Sequence, residues 1–209
     1  MRAALAVLAS AALMAPAAFA QESGEWNFQV ALDGKPIGSH RFVVSAGGGP
    51  GARQVDSRAN LLVRLLGIPV YRYRHQAEER WQGDCLRELR ADTDDDGKRL
   101  QVAAQRFDAP ACLMGYAYWN PRLVRQQQLV DPQTGRLTAV RFERLPDAAI
   151  EVAGRPVPAQ GWRLLAEGQR ITVWYAAQGG RWIALDADAK GGRRLSYRLS
   201  PPSEESTSP

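Results

Sequence analysis

The chain holds two histidines, His40 and His75, and the second lies in the stretch IPVYRYRHQAEERW, residues 68–81, with Glu79 and a frame of Tyr71, Tyr73 and Trp81. An imidazole titrates near neutrality and a carboxylate can orient it, so a His/Glu pair is raw material for general acid–base chemistry. Two imidazoles and one carboxylate would also satisfy a catalytic zinc ion, which makes His40, His75 and Glu79 the candidate set for a metal-dependent hydrolase. Spacing limits the first idea. On a strand, four residues at ~3.3 Å each set His75 about 13 Å from Glu79 along the chain, too far for a hydrogen-bonded dyad. A buried Glu79 would then need another partner, and an arginine from a neighbouring strand is the expected one.

Other chemistry-bearing patterns weigh less. Asp92, Asp94, Asp96 and Gly97 copy the start of a calcium loop, but the twelfth position is Ala103 instead of a bidentate acid, and a hairpin tip is the expected structure. Arg58, Arg64, Arg72, Arg74, Arg80, Arg87 and Arg90 would form a basic stripe on the outer face of adjacent strands, balanced by Asp84, Glu78 and Glu88. No Gly-x-Ser-x-Gly elbow, His-Glu-x-x-His, phosphate-binding glycine loop or dinucleotide fingerprint occurs, and no cofactor is expected.

The elements that must position these residues read as strands. From Val70 the polarity alternates with period two, which points Tyr71, Tyr73, His75, Ala77, Glu79 and Trp81 one way and the charged residues between them the other. EWNFQVAL and the return strand through His40, Phe42 and Val44 flank an Asp33-Gly34 turn, with Trp26, Phe28, Val30 and Leu32 on one face. Residues 54–66 fit a strand turning at 67–69, although their leucines also match a helical spacing. RLTAVRFERL, AIEVAG, GWRLLAEG, RITVWYA, RWIALDADA and RRLSYRL follow as further strands. Asn120-Pro121 has the form of an N-cap and first helical residue, so 122–129 is the one expected short helix. The fold class is therefore all-β, a single curved antiparallel sheet or half-open barrel.

The ends and the composition set the compartment. Arg2, an apolar run and Ala18-Phe19-Ala20 predict a signal peptide over residues 1–20, followed by one domain at 21–199 and a disordered tail at 200–209. No later apolar run is long enough for a transmembrane anchor, and the periplasm is the expected location. Loss of Arg2 takes Lys+Arg from 27 to 26 against 22 acids, a balance of +4 that favours an anionic envelope surface over nucleic acid. Cys85 and Cys112 would meet in an oxidising compartment as a disulfide.

LDGKPIGSHRF, VYRYRHQAEERW, LRADTDDDGK and WIALDADAKGGRRLSYRL together resemble an uncharacterised, domain-of-unknown-function family of exported proteobacterial proteins. The order of elements is more distantly similar to the half-barrel sheets of periplasmic lipoprotein carriers. That likeness implies a non-enzymatic envelope protein that binds a lipid-like or amphiphilic ligand on a concave face, lined here by His40, Phe42, Tyr71, Tyr73, His75, Glu79 and Trp81. The alternatives are a structural or partner-binding module with a filled core, and the metal-dependent hydrolase above.

Overall fold

A computed structural model describes residues 23–108 and 112–201; the signal peptide expected at 1–20 and the tail beyond 201 lie outside the described residues. The first half is a run of long hairpins: β1 (Gly24–Leu32), β2 (Lys35–Ala46), β3 (Ala52–Leu65), β4 (Ile68–Gln82), β5 (Cys85–Asp95) and β6 (Lys98–Arg106). After a 3-10 helix, Pro121–Arg125, come the short β7 (Gln128–Val130) and β8 (Leu137–Ala139), then β9 (Arg141–Arg144) and β10 (Ala148–Val152). β11 (Arg155–Ala166), β12 (Gln169–Ala176), β13 (Trp182–Ala189) and β14 (Arg193–Leu199) complete the chain.

Twelve strands make one antiparallel sheet in the order β10-β11-β12-β13-β14-β1-β2-β3-β4-β5-β6, with β9 also on β11. The two halves are joined by β1 and β14, where Val30 faces Tyr197 in register. The sheet does not close: β6 forms one edge and β9 with β10 the other. Residues 54–65 are strand, not helix, because Val55, Ala59, Leu61 and Val63 alternate into the core beside their β2 and β4 partners, and the turn falls at Leu66-Gly67 instead of 67–69. The calcium-like stretch is the β5–β6 hairpin, turned at Asp96-Gly97 with the Gly97 N–H donating to Asp94 at 2.7 Å.

Because β6 and β9 lie on opposite edges, the chain between them must cross the sheet, and residues 112–140 do so over its inward face. Met114, Ala117, Trp119, Leu123, Leu129 and Val130 from this crossing segment share one core with Phe28, Phe42, Trp81, Leu86 and Trp182 of the sheet. The expected helix is smaller than its sequence suggests. Asn120 does cap it, accepting from the Arg122 N–H at 3.0 Å, but it ends at Arg125 and the chain becomes β7. RLTAVRFERL likewise divides: Leu137–Ala139 pairs with β7, and Arg141–Arg144 joins the main sheet.

Several bonds hold the crossing segment down. Cys85 and Cys112 form the disulfide, with their Cα atoms 4.8 Å apart, and the Leu86 N–H donates to the Leu113 carbonyl at 2.8 Å. Asp84 accepts from the Asn120 amide at 3.0 Å and from Arg122 at 2.5 Å. Trp119 meets Trp81 edge to face at 5.4 Å. The outer face of the sheet keeps the arginines in water, and Arg80, Arg90 and Arg106 gather around Glu88.

Candidate functional site

The alternation in β4 is realised in three dimensions: His75, Ala77, Glu79 and Trp81 are buried, Tyr71 and Tyr73 half-buried, and the arginines between them exposed. Between this strand, β2, β3 and the crossing segment lies a cleft of about 420 Å³, within the range of small-molecule sites. Of the sequence-derived candidates, His40, Phe42, Tyr73, His75 and Glu79 line it. Tyr71 and Trp81 do not. Tyr71 donates to Asp95 at 2.5 Å near the end of the sheet, and Trp81 is sealed beneath the crossing segment against Trp119.

Burial shifts His40, His75 and Glu79 toward their uncharged forms. His40 stacks on Phe42 at 4.0 Å, and burial, helped by the neighbouring His75, pushes its pKa down to about 3. Its Nε2 contacts the Ser57 hydroxyl at 2.8 Å, while its buried Nδ1 has no partner among the described residues. His75 binds Thr93 through Nδ1 at 2.8 Å, and burial brings its pKa to about 4 despite the opposing pull of Asp131 and Asp92. Both imidazoles are therefore neutral at physiological pH. Glu79 departs from expectation: its partner is not an arginine but the Trp81 indole, whose Nε1 donates at 2.8 Å. Without a cation, burial raises its carboxyl to about 7, so it carries only part of a charge at neutrality.

The zinc arrangement weighed from sequence is not formed. The two imidazole rings are 6.5 Å apart, Glu79 is committed to Trp81, and among the described residues no three His, Cys, Asp or Glu side chains gather as a metal site. The Ser57–His40 contact has the separation of a nucleophile and its base. Its chemistry is nevertheless weak, since an imidazole with a pKa of about 3 is a poor proton acceptor and no carboxylate orients its Nδ1.

The cleft is amphiphilic in layout. Phe42, Val55, Ala77, Ala117 and Trp119 supply apolar wall, and Ser57, Tyr73, Tyr116 and Tyr118 supply hydroxyls. Ionic groups sit at the rim, where Arg170 lies 3.9 Å from Asp188 and Asp131 closes the side of the crossing segment. Sequence reasoning missed Tyr116, Tyr118, Trp119 and Asp131 as lining residues, because their approach depends on the crossing over the sheet. The aromatic run YAYW at 116–119 is the only signal that pointed there.

The model of a domain of unknown function, DUF6134, matches residues 28–200, from within β1 to the residue after β14. The chain belongs to this family. The DUF6134 match therefore spans the sheet except residues 24–27 of β1, together with the crossing segment and every residue of the cleft. No curated protein matches the chain.

Proposed function

We propose that this DUF6134 protein is a non-enzymatic envelope protein of the periplasm that binds a lipid-like amphiphile in the cleft between its sheet and its crossing segment. The observation that carries this reading is the distribution of charge. The inner wall is aromatic and aliphatic with imidazoles kept neutral, whereas the fixed ions stand at the rim. An apolar body would lie against Phe42, Val55 and Ala77, and a polar head would meet Arg170, Asp188 and Asp131. Burial of an alkyl chain there yields about 0.8 kcal/mol per methylene, and of the inner groups only Glu79 carries part of a charge that the chain would desolvate. The weak basicity of His40 supports the non-enzymatic part of the reading. The predicted signal peptide supports its location, and N-terminal sequencing of exported protein should begin at Gln21.

The direct test is native mass spectrometry of protein purified gently from its host, with and without Ala77→Leu, which puts a larger side chain on the cleft wall. A co-purified amphiphile that the variant loses is the expected result. Repeated ligand-free spectra, with no uptake of a fluorescent fatty acid, would overturn it. That outcome favours a second reading, a structural or partner-binding module, for which the filling of the inward face by Trp119, Leu123 and Leu129 is the supporting observation.

A further inference from the structure

The β3–β4 hairpin outgrows its sheet. β2 pairs with β3 only as far as Leu61, and β5 pairs with β4 only from Tyr73 onward. Residues 62–72 therefore project as a two-stranded ribbon, held by the pairs Leu62 with Arg72, Val63 with Tyr71, Arg64 with Pro69 and Leu65 with Ile68. At ~3.3 Å per residue, β3 extends about 13 Å past its last pairing with β2; Val63 at the ribbon's base is still buried and Arg72 is bonded to Asp96. Its tip is apolar and uncovered: Leu65, Leu66, Ile68 and Val70 are 65%, 95%, 66% and 49% exposed.

The turn itself works against stability. Leu66 and Gly67 take φ of 50° and 85°, the two-residue pattern with both centres left-handed that favours Asn-Gly or Asp-Gly. The same pattern elsewhere in this chain uses Asp33-Gly34, Asp96-Gly97 and Ala153-Gly154, small or Asx residues before the glycine. A leucine there is strained, packs on nothing and exposes an isobutyl group to water. Such a residue is explained by a surface it enters outside the protein.

Charge indicates which surface. Arg58, Arg64, Arg72 and Arg74 lie along the hairpin, and no Asp or Glu occurs between residues 57 and 77. The nearest acids lie on the β5–β6 turn at the base of the ribbon, where Asp94 stands in register between Arg74 and Arg99, Asp95 between Tyr73 and Lys98, and Asp96 accepts from the Arg72 N–H. An apolar tip above a basic collar complements a bilayer with anionic headgroups, the leucines reaching the acyl boundary and the arginines the phosphates. The strand order also puts this tip at the end of the sheet that bears the 167–168 and 190–192 connections, beside which Gln169, Arg170, Asp188 and Leu195 line the cleft. We infer that the 62–72 ribbon is a membrane-docking element that seats the protein on anionic lipid with the cleft's rim turned toward the bilayer. Docking through the tip is independent of whether the cleft holds a ligand.

The test is flotation of purified protein with vesicles of phosphatidylethanolamine and phosphatidylglycerol, and with vesicles of phosphatidylcholine. Wild type should float with the anionic vesicles, more weakly at high salt, and little with phosphatidylcholine. Leu66→Asn, which suits the turn, and Ile68→Asp should each reduce binding about tenfold or more while leaving the circular dichroism unchanged. Arg64→Gln with Arg72→Gln should flatten the salt dependence. Absence of wild-type flotation, or equal flotation of Leu66→Asn, overturns the proposal. So does a Leu66-dependent dimer on size exclusion that ignores vesicles, since the tip would then be a contact between copies.

Discussion

Glu79 and Trp81, two residues apart on β4, face the same side of the strand, and among the described residues the indole N–H is the one hydrogen-bond donor to the carboxylate, at 2.8 Å. Adjacent side chains on one face of a strand point the same way, so the pairing satisfies the indole without any residue from another strand. It also leaves an acid in the core without a counter-charge, which makes stability depend on pH.

The carboxyl of Glu79 rises from 4.5 in the unfolded chain to about 7 in the folded one. The native state therefore holds a proton at Glu79 that the unfolded state has lost, and this residue's contribution to stability falls as pH rises through the window, whereas His40 and His75, lowered by burial to about 3 and about 4, pull the other way below pH 6.5. The loss is on the order of 3 kcal/mol. Glu79→Gln keeps an acceptor for Trp81 and should remove this contribution while leaving that of the two histidines, so the variant should gain stability relative to wild type between about pH 5 and about pH 8. Urea denaturation at about pH 5 and about pH 8 measures it, and an unchanged slope in the variant would assign the effect elsewhere.

The Cys85–Cys112 disulfide fastens the start of the crossing segment to β5, closing 27 residues of chain. Its removal by Cys85→Ser with Cys112→Ser should cost about 3–4 kcal/mol on the chain-entropy model. Oxidised protein should run faster than reduced protein on a denaturing gel, and the double variant should show no such difference.

Asp84 serves two residues of the crossing segment at once, Asn120 and Arg122. Asp84→Ala strands the amide of Asn120, which is wholly buried. A loss of about 1–3 kcal/mol follows, with faster protease cleavage concentrated in 112–140. Cleavage spread evenly through the sheet would mean that Asp84 does not anchor this segment.

Leu66→Asn replaces a strained left-handed leucine with a residue that tolerates that conformation, at a position with no packing to lose. The variant should gain about 1 kcal/mol, read as a higher melting temperature. A lower melting temperature would show that the leucine stabilises the isolated protein.

Much of the fold was legible because strand order in a meander is local. The Asp33-Gly34 and Asp96-Gly97 turns, the period-two run through β4, and the inward direction of His40, Phe42, His75 and Glu79 all follow from neighbours within a hairpin. The disulfide followed from there being just two cysteines in a chain predicted to be exported. The family resemblance rested on the same turns and strands. The helix was overestimated because Asn120-Pro121 marks a beginning, while nothing local marks the stop that pairing of β7 with β8 imposes.

The sequence by itself determined which side chains share a face, because a strand's alternation is set by its own backbone geometry. Only the tertiary structure decided what each face meets. That β14 closes on β1, that 112–140 crosses the inward face to bring Tyr118 and Trp119 into one cleft with His75 and Glu79, and that β3 and β4 extend past their pairing with β2 and β5 all depend on contacts between distant segments. Their register is set by packing of the whole core and by loop closure, neither of which any local period records.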